Sequence, residues 1–300
     1  MLSKEEVKEK LKYLFESLRP KQWIKNLFLF AGIIFSRNIF DIGMFLTVTV
    51  GFIAFCLLTG AVYIINDILD KEQDKKHPLK RQRPIAAGKL PLDVALGAAM
   101  ILIFVSLVVS LIASSGFFVL ALLYLLVQIA YTFYLKKRVI LDVFAISAGF
   151  VLRVIGGAMI INVEISKWLI ISTIAISLFL ALSKRRHEIE TLDEDAQHHR
   201  KVLDEYDTTY LLDQMISVVT AFTLICYTLY TISPDTIDKF NTENLIFTIP
   251  FVLYGILRYL YLVHKKGEGG NPELIIVSDK PLLINVILWV LVSIIIIYRQ

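Results

Sequence analysis

Apolar runs recur along almost the whole chain, separated by short polar stretches. They cover residues 24–36, 43–66, 91–113, 116–135, 139–161, 165–183, 211–232, 244–264 and 282–298. A helix crosses a bilayer with about 17–25 mostly apolar residues. Eight of the nine runs reach that range, and the first is short. Gly, Ser and Thr interrupt several runs, as close helix packing in lipid requires, and no fixed-period repeat is visible. The pattern differs ahead of the first run. Val7, Leu11, Leu14, Phe15 and Leu18 recur at helical spacing, with lysines and glutamates on the other face. Ser3 and Glu6 have capping-box spacing, and Pro20 ends the pattern. Residues 1–20 therefore read as an amphipathic helix on the membrane surface or against a soluble partner. The expected fold is all-α: a polytopic membrane protein of nine transmembrane helices, one integral membrane domain over residues 1–300. The polar stretches 67–90 and 184–210 are expected to be cap loops at one membrane face.

Composition agrees. Of 300 residues, 56% are hydrophobic and 19% charged, against about 45–50% and 25% in soluble domains. Mean hydropathy is +0.67. A disordered chain, a disulfide scaffold and an ordinary soluble enzyme are excluded. Cys56 and Cys226 both lie in apolar runs and read as core residues. The charged first 20 residues do not read as a cleavable signal.

The net charge is only +4, but its placement sets a topology. With the N-terminus cytoplasmic, 25 of the 31 Lys and Arg fall in the inside segments 1–25, 67–90, 136–138, 184–210 and 265–281. Only Arg37, Lys167, Lys239 and Arg299 fall outside. This is the bias of the positive-inside rule, and it predicts a C-terminus outside. Because the basic residues are split among five segments, nucleic-acid binding is not expected.

Candidate chemistry lies after the second run. Asp67, Asp70 and Asp74 stand at i, i+3 and i+7, beside Asn66. On a helix they share one face over about 10 Å, where like charges repel. A divalent cation would neutralise them; Mg²⁺ takes hard oxygen ligands and is commonly shared between carboxylates and substrate phosphates. The alternative is a solvated helix end balanced by Lys71, Lys75 and Lys76. Downstream, Lys80, Arg81 and Arg83 suit phosphate oxygens, or simply hold the loop inside.

Asn66 to Asp74, followed by Arg81-Gln82-Arg83-Pro84 and Gly88, resembles the signature of the UbiA superfamily of intramembrane prenyltransferases. The resemblance implies nine helices and an Mg²⁺-diphosphate site under a cytoplasmic cap. Most members carry a second aspartate-rich motif after helix six. Here that stretch begins Ser183-Lys184-Arg185-Arg186-His187-Glu188, and Asp193 and Asp195 follow out of pattern. With the opening Arg19-Pro20-Lys21-Gln22-Trp23-Ile24-Lys25-Asn26 and the later Tyr206-Asp207, the chain resembles the decaprenyl-phosphate phosphoribosyltransferase branch. That resemblance implies a phosphoribosyl pyrophosphate donor, a polyprenyl phosphate acceptor and a place in the cell (plasma) membrane. Asp67, Asp70 and Asp74 would hold Mg²⁺, with Asn66 beside them in the catalytic set. Lys21, Lys25, Lys80, Arg81, Arg83, Tyr131, Lys136, Asp142, Lys184, Arg185, Arg186 and Glu188 are the candidate substrate contacts. Tyr131 reads equally as a belt residue.

Asp142 and Arg153 are eleven residues apart and share a helix face. A charge near the bilayer centre costs about 2.5–3.5 kcal/mol on insertion scales. Arg153 is therefore expected to line a lipid cavity or to pair with a carboxylate. Two rivals remain at this level: an ordinary prenyltransferase using a prenyl diphosphate, and a non-catalytic transporter or lipid-binding protein. The face-located acidic cluster and the missing repeat disfavour the second.

Overall fold

The computed structural model describes residues 4–191, 206, 209–266 and 272–299, and every regular element among them is helical. In chain order the elements are α1 (Lys4–Ser17), a 3₁₀ segment (Pro20–Phe30), α2 (Ala31–Phe35), α3 (Ile42–Leu69), α4 (Lys71–Lys76), α5 (Leu92–Ala113) and α6 (Ser115–Phe133). There follow α7 (Leu141–Met159), α8 (Lys167–Thr191), α9 (Thr209–Ile232), α10 (Pro234–Phe240), α11 (Ile249–Lys266), α12 (Pro272–Ser278) and α13 (Lys280–Tyr298). Eight helices among the described residues are long and apolar enough to cross a membrane.

The ninth expected span is built differently. Run 24–36 is not one α-helix but the end of the eleven-residue 3₁₀ segment, continued by α2. A 3₁₀ helix rises about 2.0 Å per residue and an α-helix about 1.5 Å. Together the two pieces extend about 30 Å, the thickness of a hydrocarbon core. The apolar part alone, residues 24–35, extends about 22 Å, short of that thickness, so the expected ninth spanning helix is not among the eight. The segment runs from Arg19, which is paired with Asp67 near the C-terminal end of α3, to Arg37, which donates to the Ile297 carbonyl at 3.0 Å. It is held against α7 by backbone contact: a Cβ on Gly157 would lie 1.8 Å from the Leu29 carbonyl oxygen. Only glycine allows that approach.

Polar side chains fasten other helices. Ser106 on α5 donates to the Ala54 carbonyl of α3 at 2.8 Å, and the Ser147 and Ser177 hydroxyls meet at 2.7 Å between α7 and α8. Large apolar side chains on the outer faces, such as Phe104, Ile112 and Val218, stay exposed, as lipid-facing residues do. On α1, Val7, Leu11 and Phe15 are exposed, and Leu18, just past its end, is buried. Its apolar stripe therefore faces outward for most of its length, which suits a membrane surface. Ser3 lies outside the described residues. Both cysteines are buried and free.

The ends of the spans sort as charge alternation requires. Residues 19, 67–83, 136–142, 185–190, 213 and 264 are joined by ion pairs at one end of the bundle. At the opposite end Arg37 meets Ile297, and the Ser114 hydroxyl approaches the Met159 carbonyl.

Candidate active site

Helix α3 has 28 residues. At 1.5 Å each it is about 42 Å long and projects beyond a 30 Å hydrocarbon core. Its C-terminal turn brings Asn66 and Asp67 to the basic end of the bundle. The helix then breaks at Asp70 (φ −91°, ψ 6°) before α4 resumes. That break divides the three aspartates. Asp67 and Asp74 are nearly fully buried and converge on one Arg83 nitrogen, at 3.0 and 2.6 Å. Asp70 turns toward α6 and meets Lys136 Nζ at 3.2 Å. Asn66 accepts from the Thr132 hydroxyl at 2.8 Å.

Arg83 is placed by the turn it opens. Ala87 N donates to the Arg83 carbonyl and Lys89 N to the Pro84 carbonyl, and Gly88 takes φ +73°, the left-handed conformation glycine accepts most easily. Ile85 and Leu90, each 1% exposed, bury this turn against Ala61 and Ile64 of α3. Asp67 is also paired with Arg19, whose guanidinium lies 4.8 Å from the Tyr63 ring centroid. Arg19 itself has φ 53°, uncommon for a non-glycine residue.

A second network lies beside the first. Arg185 is 1% exposed; its Nε donates to Asp142 Oδ2 and its Nη1 to Glu188 Oε2, both at 2.5 Å, and Nη2 reaches the Tyr131 hydroxyl at 3.3 Å. The other Asp142 oxygen accepts from the Tyr206 hydroxyl at 2.8 Å, and that same oxygen of Tyr206 accepts from Ile140 N at 3.0 Å. Ile140 has φ 68° and ψ −45°, and Leu141 N bonds back to the Val139 carbonyl at 2.7 Å. This is a γ-turn on a β-branched residue, a strained conformation of the kind that clusters at functional sites. Burial and then the adjacent Asp142 carboxylate push the Tyr206 phenol well above its ordinary value, so it remains a donor.

The predicted residues therefore separate into groups. Asp67, Asp74 and Arg83 form the centre, with Asp70 and Lys136 beside it and Asn66 on Thr132. Asp142, Arg185, Glu188 and Tyr131 form one closed network, and Asp142 is completely buried in it rather than open toward a ligand. Arg186 bonds Asp213 at 2.6 Å and Glu190 at 2.7 Å. Lys21 and Arg81 are exposed, and Lys25, Lys80 and Lys184 are half-buried on the same end. The basic run 184–188 is helical: it forms the last turns of α8 rather than opening a loop. Asp193, Asp195 and Asp207 lie outside the described residues. Arg153 pairs with no carboxylate among the described residues; it bonds Asn26, the Gly149 carbonyl and Tyr124 instead. Sequence reasoning missed Arg19, Thr132 and the role of Tyr206. Arg19 carried one signal: it is the only arginine among seven basic residues in 1–25, and arginine is preferred where ion pairs are buried.

The donor set suits a hard divalent cation. Three carboxylates and an amide oxygen are all oxygen ligands, and the Arg83 guanidinium stands as the cation shared by Asp67 and Asp74. Among the described residues no three acidic, histidine or cysteine side chains form a closed metal cage. Mg²⁺ seldom uses such a cage; it combines one or two carboxylates with water and substrate phosphates.

Comparison with known proteins gives a consistent placement. The UbiA prenyltransferase family matches over residues 26–274. A decaprenyl-phosphate phosphoribosyltransferase of Mycolicibacterium smegmatis is 34% identical over 92% of this chain and 90% of its own length. One from Corynebacterium glutamicum is 33% identical over 95% and 86%. The solved structure of a UbiA homologue from Archaeoglobus fulgidus bound to DMAPP and Mg²⁺ superposes with TM-score 0.72 and 16% identity, covering 96% of this chain and 99% of that one.

Proposed function

The chain belongs to the UbiA prenyltransferase family of integral membrane transferases, and from that premise we propose that it moves a 5-phosphoribosyl group from phosphoribosyl pyrophosphate to a polyprenyl phosphate. Its sequence is decaprenyl-phosphate phosphoribosyltransferase-like over most of its length. The observation that carries the choice of donor is the end of α8. Arg185 and Arg186 occupy it, locked to Asp142, Glu188, Glu190 and Asp213. Two arginines thus stand among four carboxylates there, so the end of α8 departs from an aspartate-rich motif by carrying arginines and not by lacking acidic groups.

In this mechanism Asp67, Asp70 and Asp74 would hold Mg²⁺, which when bound supplies charge to neutralise the departing pyrophosphate. Arg19, Arg83 and Lys136 neutralise the carboxylates until the metal takes their place, and then present guanidinium and ammonium groups to phosphate oxygens. The bond from the anomeric carbon to pyrophosphate breaks and its electron pair leaves with pyrophosphate. A phosphate oxygen of the lipid forms the new bond to that carbon. The lipid phosphate is already anionic near neutral pH, so no general base is needed. The site is proposed to face the cytoplasm from the cell membrane, with N-terminus inside and C-terminus outside, in keeping with the charge bias. The 67–90 and 184–210 segments are proposed as its cap.

The test uses purified protein in lipid with Mg²⁺, radiolabelled phosphoribosyl pyrophosphate and a polyprenyl phosphate. Label is expected in the organic phase, and an Asp67→Asn control should keep its melting temperature and make no labelled lipid. Turnover of a prenyl diphosphate with an aromatic acceptor, and none of phosphoribosyl pyrophosphate, would overturn the reading.

A further inference from the structure

Arg153 lies midway along α7, eleven residues beyond Asp142, about 16 Å deeper in the helix. It is 5% exposed and has no carboxylate partner among the described residues. A cation at that depth is costly, so its contacts indicate what it serves. Nε donates to Asn26 Oδ1 at 2.7 Å, Nη1 to the Gly149 carbonyl at 2.7 Å, and Nη2 to the Tyr124 hydroxyl at 3.2 Å. The guanidinium also lies 4.8 Å from the Tyr124 ring centroid, and such faces stabilise desolvated cations.

Asn26 is the one hydrogen-bond partner outside α6 and α7, and the Phe55 ring of α3 lies 5.9 Å from the guanidinium. Asn26 is 1% exposed, in the middle of the 3₁₀ segment, and its Nδ2 donates to Cys56 Sγ at 3.2 Å and Thr59 Oγ1 at 3.3 Å on α3. One amide therefore ties the segment to α7 through Arg153 and to α3 through its own donors. The segment needs such a tie, because 3₁₀ runs beyond three or four residues are uncommon and their hydrogen bonds are poor. At its start stands Arg19, paired with Asp67. Asn26 lies seven residues further on, about 14 Å along the axis. Arg153 is therefore too deep to meet a group bound at Asp67.

We infer that Arg153 is a positioning residue: through Asn26 it fixes the register of the 3₁₀ segment and so holds Arg19 on Asp67. The inference rests on the proposed acidic site but not on which diphosphate that site accepts. Positions this far apart with no shared partner normally give independent effects; here they act through one rigid segment.

The experiment is a double-mutant cycle on the full chain in lipid nanodiscs, read by the dissociation constant for Mn²⁺ alone, with Trp23 emission as a second signal. Trp23 sits three residues before Asn26, edge-on to Phe15 at 6.0 Å, and Trp168→Phe with Trp289→Phe leaves it the sole tryptophan. Arg19→Gln is expected to tighten Mn²⁺ roughly tenfold by freeing Asp67. Arg153→Leu should tighten it several-fold and shift the Trp23 emission, and the double variant should match Arg19→Gln alone. Arg153→Gln, which keeps a donor for Asn26, should restore wild-type values, and Asn26→Leu should reproduce Arg153→Leu even where the latter folds poorly. Multiplying effects in the double variant would overturn the inference. So would Arg153→Lys behaving as wild type while Arg153→Gln behaves as Arg153→Leu, because the charge itself would then act on the site. Neither readout requires turnover, so a wrong donor assignment leaves the cycle intact.

Discussion

Replacing Arg83 by alanine should have opposite effects on two ligands of one site. The guanidinium touches Asp67 and Asp74 at 3.0 and 2.6 Å, and both carboxylates are nearly fully buried while Arg83 keeps 28% exposure. A hydrogen bond to a charged group contributes about 1.5–3 kcal/mol, less where solvent reaches one partner. Without Arg83 the two carboxylates face each other with only Arg19 for relief. Two like charges about 5 Å apart repel by about 3 kcal/mol at an effective dielectric of 20. A divalent cation entering Arg83→Ala no longer displaces a guanidinium and relieves that repulsion. A net gain of about 2 kcal/mol corresponds to roughly 30-fold tighter binding. Pyrophosphate, in contrast, loses a cationic partner and should bind about tenfold more weakly, the equivalent of one charge-assisted contact. Mn²⁺ titration by electron paramagnetic resonance, without and then with pyrophosphate, measures both on nanodisc-embedded protein. An unchanged melting temperature, or Arg83→Gln where alanine disturbs the fold, secures the comparison. Weaker binding of the ion alone by a folded variant would refute the reasoning, because Arg83 would then be supporting the ion rather than standing in for it.

Two further substitutions test the frame. Gly157→Ala drives a methyl into the Leu29 carbonyl oxygen, whereas Gly97→Ala meets nothing; the first should cost about 3 kcal/mol and lower the melting temperature by roughly 6–12 °C, and the second should leave it unchanged or raised. Tyr206→Phe removes the hydroxyl that serves Ile140 N and Asp142 together, at a cost of about 1–3 kcal/mol. Because the Tyr206 phenol is raised above its ordinary value, its contribution is full below about pH 10 and fades only above the folded-state value. The melting difference between wild type and Tyr206→Phe should therefore stay flat from about pH 6 to 9; a difference that titrates in that window would contradict the assignment.

The helices were legible because lipid demands long apolar runs, and eight of nine came through as candidate spans, with α8 running eight residues past its run. The first run was expected as a ninth spanning helix; it is instead a 3₁₀ segment followed by a five-residue α-helix, and the described residues hold eight candidate spans. The apolar pattern of Pro20–Phe30 does not dictate that winding; Gly157 and Arg153 of α7 hold the segment from another helix. The acidic cluster was legible as a unit from its spacing, yet the spacing assumes one continuous helix. The break at Asp70 turns that carboxylate to Lys136 and leaves Asp67 and Asp74 facing Arg83. Arg185 and Asp142 were legible as candidate substrate contacts, but not as each other's partners, since 43 residues separate them. Pairing across such distances is a property of packing, and a single sequence carries no trace of it.

Charge balance bears on what the proposed site would accept. Each aspartate already has a cation from another part of the chain: Arg19 and Arg83 on Asp67, Arg83 on Asp74, Lys136 on Asp70. Three carboxylates and three bases make the centre neutral before anything binds. A metal–diphosphate pair would bring its own near-compensation, so a simple diphosphate asks for little more. A donor with a further phosphate leaves about two negative charges uncompensated, and burying these is costly unless cations meet them. Lys21 and Arg81 are exposed on the same end of the bundle, with Lys25, Lys80 and Lys184 half-buried beside them. The proposed donor, with three phosphates, would draw on this basic rim more than a donor with two. That makes donor affinity, rather than turnover, the quantity that removing any one of these lysines should lower first.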